Sequence, residues 1–164
     1  MKSKLLVLSL FTLVFAAGST AQAQEPLRQI AAGTWDTNIA GDGITSRADV
    51  NVWVDISVPD LSTSKWVGIV WTEDNWQTVR WAYGQKEADL GNGNERWGVD
   101  LTPAGTIREH RSIGPLEWTN PEGQTRSVRG QSVVVEYAIF YQHPSGTMYW
   151  DNNNNQNYRI TLAD

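Results

Sequence analysis

The chain has 164 residues, no Cys, nine Trp and a formal charge of −5, with 18 acidic against 13 basic side chains. Without Cys no disulfide staples the fold and no lipid is attached to a terminal cysteine; the acidic balance disfavours nucleic acid, whose phosphates need a basic face, and anionic membrane surfaces. Nine indoles are too many for the core of one small domain, so several are expected at the surface.

The chain opens on MKSK, continues with an apolar stretch from Leu5 to about Ala17, and then shows AQA, a small-residue cleavage pattern. This is the anatomy of a secretory signal peptide over residues 1–23, cut after Ala23, and the apolar stretch is shorter than the roughly 20 residues a membrane span needs. A soluble, exported product is expected. Losing Lys2 and Lys4 with the leader takes the formal charge from −5 to −7. Residues 24–47, "QEPLRQIAAGTWDTNIAGDGITSR", show no sustained period and are expected to form an N-terminal leader partly ordered around Trp35.

From residue 48 to 164 a single β-sandwich is expected. Runs of β-branched and aromatic residues alternate with Pro, Gly and Asn punctuation, and no helical period persists. Seven strands are predicted: 49–58, 65–71, 78–85, 95–103, 132–142, 147–152 and 157–162. The first alternates cleanly, with Val50, Val52, Val54, Ile56 and Val58 on one face and Asn51, Trp53, Asp55 and Ser57 on the other, so Trp53 falls on the polar face. "SVVVEYAIFYQ" is almost continuously apolar and should lie centrally, covered on both faces. Residues 106–130 read as a long polar connection with room for one short strand.

Chemistry concentrates where aromatics meet amides. A pyranose ring presents an apolar face of C–H bonds and a rim of hydroxyls; indole supplies a plate for the first, and the Asn amide supplies an acceptor and two donors for the second. In "YWDNNNNQNY", residues 149–158, adjacent Tyr149 and Trp150 must point to opposite faces of an extended strand. If extension persists, Trp150, Asn152 and Asn154 share a face. Burying those amides unpaired costs roughly 1–3 kcal/mol each, which makes that face the exposed one and sends Tyr149 to the core. The competing reading has Trp150 covering a sheet edge and the Asn run solubilising a turn. In "WTEDNWQT" Trp76 sits at a hydrophilic turn, either as a second plate or as a cap on the sandwich. Trp81 and Tyr83, two apart, share a face as a candidate second site or as plain packing.

The stretches "KWVGIVWTEDNW", "VEYAIFYQ" and "YWDNNNNQNY" make residues 49–160 resemble the family 21 carbohydrate-binding modules, the starch- and glycogen-binding domains; the related family 53 modules of starch synthases are also similar. The resemblance implies an immunoglobulin-like antiparallel β-sandwich that binds α-1,4-glucan without catalysis and without a cofactor. Matched position by position, it implies stacking on Trp76 and Trp150, hydrogen bonding by Asn152, Asn154 and Asn157, a contribution from Lys65, and structural roles for Asp151 and Tyr158. An aromatic that some members carry on the central strand falls on Ala138 here, and a second-site Tyr falls near Thr63. An exported binding module raises a separate amylolytic enzyme as a partner, and the basic-Val-x-Phe docking pattern of phosphatase-targeting relatives is missing.

No carboxylate pair or nucleophile–base set stands at a recognisable spacing, so no enzyme is expected. His110 and His143 sit in turn-like contexts, and two His without Cys argue against a transition-metal site. "DNNNNQN" begins like a calcium loop but has Gln156 where Gly is required and Leu162 where an acid is required; a structural calcium in another geometry stays open. The other class is an exported sandwich that presents its Trp-rich surface to a protein partner.

Overall fold

A computed structural model describes residues 26–41, 45–110 and 116–163; the expected signal peptide lies outside them. Among the described residues there are eleven strands: β1 (Arg28–Gly41), β2 (Thr45–Pro59), β3 (Trp66–Thr72), β4 (Arg80–Tyr83), β5 (Gln85–Gly91), β6 (Asn94–His110), β7 (Glu117–Thr119), β8 (Thr125–Ser127), β9 (Val133–Gln142), β10 (Met148–Asp151) and β11 (Tyr158–Ala163). One antiparallel sheet runs β1-β2-β6-β7-β8, with β5 also on β6; the other runs β10-β9-β3-β4, with β11 also on β9. No described helix is long and apolar enough to cross a membrane.

The alternating pattern of β2 works as its period demands. Val52, Val54, Ile56 and Val58 turn inward and meet Val67, Ile69 and Trp71 of β3 and Val135, Tyr137, Ile139 and Tyr141 of β9 in one buried cluster. A second cluster of Val50, Trp118, Val128 and Val133 closes one end. The two sheets therefore bury their facing rows, and each leaves an outward face that must be judged by its own residues.

Two stretches carry more strand than expected. Residues 24–47, expected as a leader partly ordered around Trp35, contain β1, a 14-residue strand that runs through Trp35 and pairs with β2 from Arg28↔Ser57 to Gly41↔Ser46. Its Gly and Ala content hid it, because a strand lying against a Trp-bearing neighbour needs small residues rather than an apolar period. Likewise 106–130 is not simply a connection: β6 extends to His110, and a short β7–β8 hairpin pairs back onto it. His110 thus ends a strand, whereas His143 sits in a turn with its Nδ1 against the Ser145 hydroxyl.

Candidate functional site: an aromatic sheet face beside an amide turn

Strand register assembles the site. Across the outward face of the second sheet one row reads Tyr83, Gly68, Phe140 and Trp150, from β4 through β3 and β9 to β10. The next row toward the Asn turn holds Trp81, Val70 and Ala138, and the row on the other side holds Trp66, Gln142 and Met148. Gly68 decides how these rings lie. A Cβ there would stand 2.1 Å from the Ala82 carbonyl oxygen of β4 and 2.9 Å from two carbons of the Phe140 ring, so its absence lets β4 approach closely and Phe140 lie over β3.

Phe140 is thereby buried on the outward face, at 1% exposure, under neighbours that remain half open: Trp81 and Trp150 at 49% and Tyr83 at 61%. The Trp81 centroid lies 5.0 Å from Phe140 and 6.0 Å from Trp150, with the two indoles at 64° to one another. Tyr83 stands 5.6 Å from Phe140 and Trp150 stands 5.9 Å from it. Such edge and tilted contacts favour ring against ring while leaving the opposite ring face to solvent. Trp81 and Tyr83, read from sequence as a separate second site or as packing, belong to the same cluster as Trp150. Ala138, buried in the row it shares with Val70 and Trp81, adds no ring of its own. Trp66, 52% exposed, extends the face and with Tyr83 and Gln142 lines a hollow of about 390 Å³.

Trp76 reaches the same face from the β3–β4 turn. Its Nε1 donates to Glu136 Oε2 at 2.9 Å, and Glu136 Oε1 accepts from Arg159 at 2.9 Å. Glu136 and Phe140 are four residues apart on β9, so the attachment points of Trp76 and Trp150 are about 13 Å apart along the strand. Asn75 and Trp76 both have positive φ, at 57° and 64°, an uncommon region for an indole-bearing residue. The turn holds it there: the Trp76 amide donates to Thr72 Oγ1 at 3.2 Å, while Asp74 Oδ1 accepts from the Thr72 hydroxyl at 2.7 Å and the Thr78 amide at 2.9 Å. Burial pushes the Asp74 carboxyl up, but the hydrogen bonds from Thr78 and Thr72 outweigh it and hold it at about 2.

The amide run departs from the extended geometry expected of it. β10 ends at Asp151, and Asn153, Asn154, Asn155 and Asn157 take φ values of 52°, 57°, 68° and 56°. Asn is the side chain that tolerates this left-handed region best after Gly, which is why four are needed here. The shared face of Trp150, Asn152 and Asn154 is therefore lost, because the parity rule stops where extension stops. Asn152 is engaged within the turn, its Oδ1 accepting from the Asn155 amide at 3.0 Å and its Nδ2 donating to Asn155 Oδ1 at 3.2 Å. Asn153 Nδ2 donates to the Asn157 carbonyl. Among the described residues the side-chain amides of Asn154 and Asn157 make no protein hydrogen bond that competes with a ligand. Asp151 Oδ1 accepts from the Asn153 amide at 3.1 Å, and its Oδ2 accepts from the Tyr158 hydroxyl at 2.6 Å. Burial and that bond push the Tyr158 phenol up to about 12 while its ring stacks on Tyr137.

Two further sequence assignments change. Tyr149 does point away from Trp150, but it is 47% exposed, leaning on Tyr141 at the open edge where β10 has no further neighbour to cover it. Lys65 is not on the aromatic face. Its ammonium, on a side chain 2% exposed, lies 2.7 Å from both Asp60 Oδ1 and Glu95 Oε2, where it ties the start of β3 to β6 of the opposite sheet. Trp66, Phe140, Glu136 and Gln142 were not singled out from sequence; the alternation of Trp66 against buried Val67 was the signal available. Among the described residues no group of three or more His, Cys, Asp or Glu side chains stands ready for a metal.

The solved structures similar to this chain include two carbohydrate-binding modules. One is the starch-binding domain of Rhizopus oryzae glucoamylase, solved with β-cyclodextrin and maltoheptaose; it is 19% identical, with 80% of this chain and 94% of that one covered and a TM-score of 0.40. The other is the carbohydrate-binding module of the muscle glycogen-targeting subunit of protein phosphatase-1, also 19% identical, with 99% of this chain and 96% of that one covered and a TM-score of 0.44. Comparison with protein families and with curated proteins finds no match.

Proposed function

We propose that the chain is an exported, non-catalytic module that binds α-1,4-glucan on the outward face of its second sheet. The observation that carries this reading is the arrangement of Trp81, Tyr83 and Trp150, half exposed around a buried Phe140, with Trp76 pinned to Glu136 farther along the same face. The 64° between the Trp81 and Trp150 rings supports a curved chain over a flat crystalline one, since coplanar plates would suit the latter. Glucose rings separated along one chain stack on Trp150 and Trp76, and Asn154 and Asn157 hydrogen-bond hydroxyls from the turn that flanks Trp150. Lys65 has no part in it, and Asn152 serves by shaping the turn. The Leu5–Ala17 stretch with its basic start supports export.

A stacking site of this kind gives a dissociation constant in the micromolar to millimolar range, about −8 to −4 kcal/mol. The test is retention of residues 24–164 on insoluble starch and on cellulose, followed by titration with β-cyclodextrin through Trp fluorescence. Starch retention competed by cyclodextrin is expected. Folded protein that binds neither polymer would overturn the reading and turn the aromatic face into a protein-docking surface.

A further inference from the structure

The opposite sheet carries a second plate. The outward residues of β2 are Asp49, Asn51, Trp53 and Asp55; across from Trp53 lie Gly33 of β1 and Asp100 of β6, and across from Asn51 lies Trp35. Gly33 sets the pose of Trp53. A Cβ on Gly33 would meet Trp53 Nε1 at 2.8 Å and two further ring carbons at 2.9 Å, so only a residue without one lets the indole lie down over the β1 backbone. The half-buried Trp53 ring then lies over Gly33, and Trp35, 40% exposed, stands diagonally across from it.

The polar surroundings select what such a plate holds. Asp100 is exposed directly across from Trp53. Asp55, two residues along β2, pairs with Arg96 at 2.9 Å, and Arg96 pairs in turn with Glu87 at 2.9 Å. Gly98 makes that second pairing feasible, since a Cβ there would collide with the Glu87 carboxylate. Arg96 is thus held by two carboxylates, and Asp100 leaves negative charge directly beside Trp53, while Arg47 and its partner Arg108 stand six positions along β2 on the same face. Carboxylates accept from hydroxyls, indole faces take C–H surface, and the excess of acid repels uronic, sulfated or phosphorylated sugars.

We propose that this face is a second binding surface for a neutral glucan, with one pyranose ring on Trp53, a neighbouring ring against Trp35, and the Asp100 carboxylate accepting hydroxyl hydrogen bonds. It goes beyond the function proposed above, because it uses the other sheet and none of the same residues. The two sheets lie back to back, about 10 Å apart, so the two surfaces look in opposite directions. One module then holds two chains at once and bridges them.

The test is a titration of ¹⁵N-labelled residues 24–164 with maltoheptaose, and separately with cellohexaose, following the indole N–H resonances assigned by single Trp→Phe variants. Saturable shifts at Trp53 and Trp35 with either sugar are expected. They should persist in Trp150→Ala, which cripples only the other face, and weaken about tenfold in affinity in Gly33→Val, which drives the Trp53 ring off the backbone. Trp35→Ala, an exposed change, gives the same weakening if Gly33→Val folds poorly. Silent Trp53 and Trp35 resonances with both sugars overturn the second surface, whether or not Trp76 and Trp150 respond. Silence at Trp76 and Trp150 with movement at Trp53 would refute the first reading and leave this one standing.

Discussion

Trp150→Ala separates a plate from a core residue by measuring two free energies. About half of the Trp150 side chain is covered, by contacts with Phe140 at 5.9 Å and Trp81 at 6.0 Å. A Trp buries about 200 Å² when fully enclosed, so half corresponds to about 100 Å² and, at about 25 cal/mol per Å², to a stability loss of at most about 2.5 kcal/mol. The main core lies on the other side of the sheet and keeps its packing, so the variant should unfold in one cooperative transition at lower temperature. Affinity for β-cyclodextrin, by contrast, should fall tenfold or more, about 1.4 kcal/mol, because one plate is gone. Trp150→Tyr, which keeps a flat ring, should recover part of that loss. Calorimetric titration and thermal unfolding read the two quantities separately. Unchanged affinity in a folded Trp150→Ala protein would refute the role of the plate, and a variant that cannot fold at all would show that the indole belongs to the core.

Other residues make sharper distinctions between holding and binding. Glu136→Ala frees the Trp76 indole and is expected to weaken glucan binding several-fold, whereas Glu136→Gln, which keeps an oxygen for the indole N–H, should restore most of it; equal loss in both would show that Trp76 is held by its turn alone. Asn154→Val, at φ 57°, should cost about 1–2 kcal/mol of stability and Asn154→Gly almost none, as thermal unfolding will show. Lys65→Met breaks a buried ion pair and should destabilise by about 3 kcal/mol, at the low end because Lys86 still reaches Glu95 at 2.8 Å, with glucan affinity in the folded fraction unchanged. Burial pushes the Glu95 carboxyl up, but hydrogen bonds from Lys65, Lys86 and Trp97 outweigh it and hold it at about 2. A depressed carboxyl stabilises the fold above its unfolded value near 4.5 and loses that contribution as pH falls toward 2. Unfolding measured across that window should therefore show a decline that Glu95→Gln flattens.

The sandwich was legible in the sequence because a half-buried strand must alternate and a buried one must not: the Val and Ile positions of β2 and the apolar run of β9 leave little freedom about which sheet faces inward. The turn before Trp76 was legible from its Asp and Asn content instead. Parity also placed Tyr149 and Trp150 on opposite faces. It said nothing about burial at an edge strand, where the inward side has no neighbour to cover it, and it failed across Asn152–Asn157 because four left-handed residues end the extended geometry on which it rests.

What the tertiary structure alone decided is which side chains meet. Trp81, Phe140 and Trp150 come from three strands and are joined only by register, with Gly68 permitting the Phe140 ring to lie down among them. Lys65 left the candidate site for a similar reason: its partner Glu95 sits thirty positions away on the opposite sheet, and burying an ammonium requires such a partner. Local sequence fixes a residue's face through the backbone period, but contact between strands depends on pairing across long separations. Gly33 beneath Trp53 is the same physics on the other sheet, where a missing side chain in one strand shapes the surface presented by the next.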